Sequence, residues 1–308
     1  MSGSAAIAIV NPRSADGSTA KLWPSLARTA AELGLDLEAR MTERLGHAAE
    51  LTRQALREGA RRIIAVGGDG TVNEVVNGFF DGEAVINPDA ELGVLCRGTG
   101  CDFIKTLEIP KADLGGIQRI AGGTAGKIDV GRVGYVNAQG GEELRYFINI
   151  AEVGLGGEVC SRVNTMSKAA GGFMTFLAAT LKTLATYRNQ PAEVVIDGKY
   201  VRNLRLNNVV IANGRYFGGG MKIMPHADLS DGKFDVLVMG DFTRAELVAN
   251  VAKVYSGKHL GHPKVEVFQA ERVRVTSVHR LALDLDGESP GTTPSEFEIV
   301  PGAIRVIS

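Results

Sequence analysis

RRIIAVGGDGTVNEVVNGF, residues Arg61–Phe79, reads as a short apolar strand that runs into a glycine-rich turn and then a helix. Val72, Val75, Val76 and Phe79 recur at the spacing of one helix face. Thr71 is a candidate helix cap. Glycines at Gly67, Gly68 and Gly70 let backbone N–H groups approach an anion closely, and the helix N-terminus adds partial positive charge. A second turn of the same kind, Arg97-Gly98-Thr99-Gly100-Cys101-Asp102-Phe103, follows the strand candidate Leu92–Cys96. Taken singly, either turn is also what any tight αβ connection needs. Together, at the C-terminal ends of strands in one sheet, they suit a nucleotide.

Outward from this segment, strand candidates Ala5–Val10 and Leu35–Arg40 alternate with helical stretches at Lys21–Leu33 and His47–Arg57. Pro24 marks either the first turn of its helix or a kink. Such alternation implies right-handed crossovers and a parallel sheet. The expected fold class is α/β plus β: a Rossmann-like, doubly wound parallel sheet over residues 1–126, then an antiparallel β-sandwich domain over residues 127–308. Beyond Lys127 the pattern changes to many short β-type runs, with a hairpin signal at Asp197-Gly198. Helices are expected at Ser167–Tyr187 and Thr243–Ser256, and the last strand, Ala303–Ile307, is free to return to the first sheet.

Composition narrows the function. The chain has 308 residues and 39 glycines, about 13%, close to twice the usual share of about 7%, so the glycines need an explanation. With 34 Lys+Arg against 35 Asp+Glu the net charge is −1, which provides no field to attract nucleic acid. Three cysteines, Cys96, Cys101 and Cys160, without a C-x-x-C pair argue against a disulfide framework or structural zinc and for a reducing, cytoplasmic setting. The longest uncharged apolar stretch, Ala169–Leu181, is too short to span a bilayer. No G-x-x-x-x-G-K-[ST] occurs, and Gly98-x-Gly100 and Gly154-x-Gly156 lack the third glycine of the dinucleotide fingerprint.

Several motifs, in this order, resemble the diacylglycerol kinase catalytic-domain family of lipid kinases. They are Asn11-Pro12, Thr42, GGDGTVNE at Gly67–Glu74, Gly98-Thr99-Gly100-x-Asp102-Phe103, Gly154-Leu155-Gly156, DLSDGKFD at Asp228–Asp235 and Asp286-Gly287-Glu288. The resemblance implies an ATP- and Mg²⁺-dependent kinase that phosphorylates a lipid alcohol, diacylglycerol first. Asn11, Thr42, Gly67, Gly68, Asp69, Gly70, Thr71, Val72, Asn73, Gly98 and Thr99 would contact ATP. Asp69 would lie near the metal and the transferred phosphate, and Glu288 would be the general base. Asp231, with main-chain groups at Asp228 and Lys233, matches a magnesium loop; the Lys233 side chain has no lone pair to offer. The family also implies a membrane lipid as substrate and a peripheral place at the inner membrane face, and it is compatible with a homodimer. Relatives usually carry Asn where this chain has Cys101.

Other readings stay open at this point. A sphingoid base or ceramide could be the acceptor, NAD kinases share GGDG, and a non-catalytic nucleotide or lipid sensor could keep the fold. Leu281, Leu283 and Leu285 alternate with Asp284 and Asp286, so Gly287 presents Glu288 at a strand end, either as a base or as a solvated turn. Phe173, Phe176, Leu177, Leu181 and Leu184 form a helical stripe that suits plain core or an acyl-chain cleft. Lys253–Lys264, with three Lys and two His, suits a solvated loop or an anionic headgroup. His259 and His262 have an H-x-x-H spacing without a supporting carboxylate helix.

Overall fold

The computed structural model describes residues 6–98, 100–110, 114–166 and 172–308. The chain divides into two units, residues 1–129 with 301–308, and residues 130–300. The first begins β1 (Ala6–Val10), α1 (Ser18–Glu32), β2 (Leu37–Met41), α2 (His47–Arg57), β3 (Arg62–Gly67), α3 (Asp69–Gly78). After a small hairpin, β4 (Phe80–Asp81) and β5 (Ala84–Val85), come β6 (Glu91–Cys96), α4 (Asp102–Thr106) and α5 (Leu114–Gly122). Strand β1 pairs in parallel with β2 and with β3, and β3 pairs in parallel with β6.

Both faces of this sheet are apolar because both are covered. Ala6, Ala8, Val10, Ile64, Val66 and Leu95 pack with Trp23, Leu26 and Ala30 of α1 and Ile117 and Ile120 of α5. Ile7, Ile9, Ile63 and Ala65, buried as well, alternate to the opposite face, where α2 and α3 pack on the sheet and on each other. The sheet is therefore doubly wound. Pro24 lies inside α1, which starts ahead of the expected Lys21.

The second unit is antiparallel. Strand β7 (Ala125–Asn137) enters it, followed by β8 (Glu142–Phe147), β9 (Ile150–Gly154), α6 (Leu155–Thr165), α7 (Gly172–Thr186), β10 (Gln190–Ile196), β11 (Tyr200–Leu206) and β12 (Asn208–Ala212). Then come β13 (Phe234–Met239), α8 (Arg244–Val254), a 3-10 turn Lys258–Gly261, β14 (Val265–Ala270), β15 (Arg272–Thr276), β16 (Leu283–Leu285) and β17 (Gly291–Ile307). One sheet has the order β14-β13-β12-β9-β16. The other includes β11-β10-β15-β17, and β7 pairs with both β17 and β8. Phe147, Val153, Val194, Val209, Phe234, Leu283 and Phe297 share one buried core between them, which makes this unit a β-sandwich. The last residues of β17 belong to the first unit, where Arg305 and Val306 pair in parallel with Glu91 and Leu92.

Helix α6 lies where the sequence reading places no element: LGGEVCSRVNT is poor in helix propensity at its glycines, and burial of Val159 and Cys160 supplies the stability that propensity does not. Two sequence expectations change. Cys96 and Cys101 form a disulfide, with Cα atoms 5.8 Å apart, because the chain reverses directly after β6. Only Cys160 is free. Thr71 does not cap α3: the cap position is Gly68, and Thr71 lies inside the helix with its hydroxyl turned to Asn11.

The α2–α3 crossing tests the packing independently of any ligand. A Cβ on Gly78 would stand 2.5 Å from the Thr52 Cβ and 2.7 Å from the Ala49 carbonyl oxygen, whereas one on Gly126 would meet nothing within 4 Å. Gly78→Ala is expected to lose about 2 kcal/mol in urea denaturation, with Gly126→Ala near wild type. Equal stability of the two variants would contradict the close crossing.

Candidate functional site

Parallel register brings four strand ends to one edge of the first unit. Val10 pairs with both Met41 and Val66, and Gly67 pairs with Cys96, so Asn11, Thr42, Gly68 and Arg97 each follow the last residue or two of a strand. Backbone bonds extend this edge: Asn11 N–H donates to the Val66 carbonyl (2.9 Å), Thr42 N–H to Val10 (2.9 Å) and Arg97 N–H to Gly67 (2.6 Å). The two glycine turns touch. A Cβ on Gly98 would lie 2.8 Å from the Gly68 Cα, so a side chain there would force the loops apart.

Asp69 joins the turns chemically. Its Oδ1 accepts the N–H groups of Asp102 (2.9 Å) and Phe103 (3.4 Å), the first turn of α4. Asn11 Nδ2 donates to Thr71 Oγ1 (3.0 Å), tying the end of β1 to α3. Thus Asn11, Gly68, Asp69, Thr71 and Gly98 come together, with Thr42 and Gly67 on the same edge. Val72 and Asn73 differ. Their side chains are buried, and the Val72 N–H already donates to the Gly68 carbonyl (3.1 Å), so neither the Val72 side chain nor its N–H is turned to the strand-end edge. Thr99 lies outside the described residues. Glu74, read only as part of a motif, accepts from Gly46 N–H (2.9 Å) and Ala48 N–H (3.0 Å) at the start of α2.

In the second unit the Asp286-Gly287-Glu288 turn is built from both sides. Asp286 and Gly287 take positive φ, 51° and 89°, and Leu285 and Glu288 exchange backbone bonds across the turn. The Asp286 carboxylate accepts from Ile148, Asn149 and Ile150 N–H (2.8, 3.0 and 2.9 Å), and Asp284 Oδ1 accepts from Gly287 N–H (2.7 Å). Glu288 is half-buried and forms an ion pair with Arg145 on β8. No sequence motif marked Arg145.

Beneath this turn lies a carboxyl pair that spacing alone did not reveal. Glu152 on β9 stands opposite Asp284 on β16 in antiparallel register, which places both side chains on one face. Glu152 is buried and accepts from Asn208 Nδ2 (2.7 Å). Burial pushes its carboxyl up to about 7. Burial, then the Glu152 charge, raises Asp284 well above the usual carboxylate range. Burial and then Asp284 also raise the Cys160 thiol. The available signal was a lone carboxylate inside the apolar strand IAEVG.

Within Asp228–Asp235, Asp228, Ser230, Asp231 and Lys233 are exposed on a turn, while Leu229 and Phe234 are buried. Asp228 Oδ1 accepts from Ser230 N–H and Oγ (2.9 and 2.8 Å), and Asp231 Oδ1 accepts from Lys233 N–H (3.0 Å). The other Asp231 oxygen accepts a long hydrogen bond from Gln269 Nε2 (3.4 Å). Such a donor set fits a hydrated Mg²⁺ held by one or two carboxylates, not a closed cage. Among the described residues no three Asp, Glu, His or Cys side chains could hold a metal ion together. Asp235 is buried, which raises its carboxyl, with Asp231 adding to the effect.

The α7 stripe is split. Leu184 is buried, but Leu177 and Leu181 are 39% and 58% exposed, with Met174 beside them at 53%. The Phe173 and Phe176 side chains, and residues 167–171, lie outside what is described. Val248, Val251 and Tyr255 are exposed on or just after the adjacent α8. His259 is a core histidine: its Nε2 lies 2.9 Å from the Ile223 carbonyl oxygen, and burial lowers its pKa. Among the described residues no helix is long and apolar enough to cross a membrane.

Two family models match the chain: a diacylglycerol kinase catalytic domain over residues 5–133, and a YegS C-terminal NAD kinase beta sandwich-like domain over residues 149–308. A diacylglycerol kinase of Bacillus subtilis (strain 168) is 31% identical over 301 residues, covering 97% of this chain and 94% of that protein. One from Staphylococcus carnosus (strain TM300) is 29% identical, covering 94% and 90%. A crystal structure of a diacylglycerol kinase from Bacillus anthracis str. Sterne superposes with a TM-score of 0.72 at 21% identity, covering 100% of this chain and 97% of that one. Yeast NADH kinase shares the fold more distantly, at TM-score 0.50 and 10% identity, with 100% and 84% covered.

The carboxyl pair has a measurable consequence. A carboxyl raised in the folded state binds its proton more tightly there than in the unfolded chain. Its cost to stability is therefore absent below about pH 4.5 and grows as pH rises towards 7. Glu152→Gln is expected to remove up to about 3 kcal/mol of this decline between pH 5 and pH 8 in urea titrations. Parallel pH profiles for wild type and variant would contradict the assignment.

Proposed function

The chain belongs to the diacylglycerol kinase catalytic-domain family and is a lipid kinase, and from that premise we propose that it transfers the γ-phosphoryl group of ATP to the hydroxyl of diacylglycerol, giving phosphatidic acid. The observation that carries the nucleotide part is the contact of the two glycine turns across Gly68 and Gly98, with the Asp69 carboxylate bonded from one to the other. Backbone N–H groups at such turns hold phosphates without many basic side chains.

Phosphoryl transfer asks a protein for position and charge, and for a base at the accepting hydroxyl. In this reading Asn11, Thr42, the Gly67–Asn73 segment and the Gly98–Thr99 turn hold ATP. Glu288, oriented by Arg145 and by the bonded turn beneath it, takes the hydroxyl proton. Asp231, with main-chain groups at Asp228 and Lys233, would hold Mg²⁺, and Asp69 would lie near the metal and the transferred phosphate. Bound Mg²⁺ neutralises charge on the phosphates. The exposed apolar residues of α7 and α8, with Lys253 and Lys258 close by, support a peripheral encounter with a membrane, where the lipid resides.

A radiolabel assay offers ATP with diacylglycerol, a sphingoid base, ceramide and NAD in parallel. Label in phosphatidic acid is the expected product, and label in phosphorylated NAD instead would overturn the acceptor. Glu288→Ala is expected to abolish turnover while leaving ATP binding within about twofold of wild type; full turnover would remove Glu288 from the role of base. Asp69→Asn preserves an acceptor oxygen for the α4 N–H groups, so it should fold as wild type and lose magnesium-dependent activity. A folded variant with normal magnesium dependence would leave Asp69 as a structural bridge alone.

A further inference from the structure

The glycine turn between β6 and α4 is closed by a covalent bond. Cys96 is the last residue of β6, Cys101 is the residue before α4, and the disulfide between them encloses only residues 97–100. We infer that this pair is a redox-active modification site whose oxidised form holds Gly98 and the start of α4 against Gly68 and Asp69, and whose reduction releases them. The inference rests on the nucleotide site proposed above and adds its regulation.

Three independent features place the bond at the hinge of the site. Cys101 adopts the left-handed conformation, φ 50° and ψ 47°, which residues other than glycine seldom keep unaided. The two residues that follow it supply the N–H groups bonded to Asp69, so a change at Cys101 moves the Asp69 carboxylate. Gly98, inside the closed loop, abuts the Gly68 backbone, so the same change also shifts the contact between the turns. Asparagine tolerates the left-handed conformation that Cys101 adopts, so an amide at position 101 could hold the same backbone without a crosslink. The remaining thiol, Cys160, is buried in the other unit, so pair chemistry at this loop is confined to Cys96 and Cys101.

The chemistry is thiol–disulfide exchange with a dithiol reductant. One reductant thiolate attacks a protein sulfur and releases the other as a thiolate. The second reductant thiol then resolves the mixed disulfide. The protein S–S bond breaks and gains two electrons and two protons, while the reductant's two thiols become one disulfide. The Cys101 sulfur lies 3.5 Å from the Gly98 carbonyl oxygen, an acceptor for the thiol once it is reduced. Both cysteines are buried, so exchange requires the turn to lift, and bound nucleotide opposes that movement. Disulfides are uncommon in reducing compartments and, where present, tend to be catalytic or redox-sensing.

The test compares intact wild-type protein after glutathione disulfide with the same protein after dithiothreitol. Intact mass is expected to show the loss of two hydrogens on oxidation. Calorimetric ATP affinity is expected to fall about tenfold on reduction, about 1.4 kcal/mol. Cys101→Ser should bind ATP weakly in both conditions, Cys101→Asn as tightly as oxidised wild type in both, and saturating ATP should slow reduction of the wild type. Equal ATP affinity of fully oxidised and fully reduced wild type would overturn the switch while leaving the kinase reading intact. Failure of the crosslink to form in the folded protein would overturn the pair itself. Absence of ATP binding in either form would overturn the nucleotide site and the switch together.

Discussion

Everything proposed for the first unit depends on two stretches of backbone coming closer than side chains would allow. Strands β3 and β6 are neighbours in one parallel sheet, so the turns that leave them emerge side by side. Gly98 packs against the Gly68 Cα because it carries no Cβ, whereas a Cβ on Gly68 would meet the Gly98 Cα at an ordinary 3.6 Å. The close approach puts the start of α4 within reach of Asp69, whose carboxylate then satisfies N–H groups that a helix start otherwise leaves open. The Asp69 carboxylate thus fastens the two turns to each other.

The second unit follows a different logic, in which carboxylates organise a turn. Asp286 gathers three consecutive N–H groups from the bend between β8 and β9, and Asp284 holds Gly287. Glu288 projects from that scaffold towards Arg145. Placing Glu152 opposite Asp284 in a largely apolar layer is costly for the fold. That cost falls beside the turn that carries Glu288, through the bond from Gly287 N–H to Asp284.

Much of this was legible in order along the chain. The alternation of short apolar strands with amphipathic helices specified the parallel sheet, and Leu281, Leu283 and Leu285 all point into the sandwich core as their spacing required. What escaped the sequence is what register creates. Glu152 and Asp284 stand 132 positions apart in the chain and face each other only once β9 and β16 pair. Thr71 satisfies the composition of a cap, yet the glycine ahead of it ends up in the cap position and leaves Thr71 to Asn11. The cysteine count argued for separate thiols, and a chain reversal of a few residues joined two of them. The α7 stripe suits either core or an acyl-chain cleft on periodicity, because periodicity finds a face without finding what covers it.

Strand β17 gives the first sheet a peculiar assembly order. Glu91 and Leu92 are made early, and their partners Arg305 and Val306 emerge from the ribosome only after the entire sandwich has been translated. Until then β6 presents an unpaired edge beside a buried apolar strand, the kind of surface that recruits other chains. Nascent protein therefore carries its own incomplete sheet through most of synthesis, and the first unit closes only when the last residues of the second have been made.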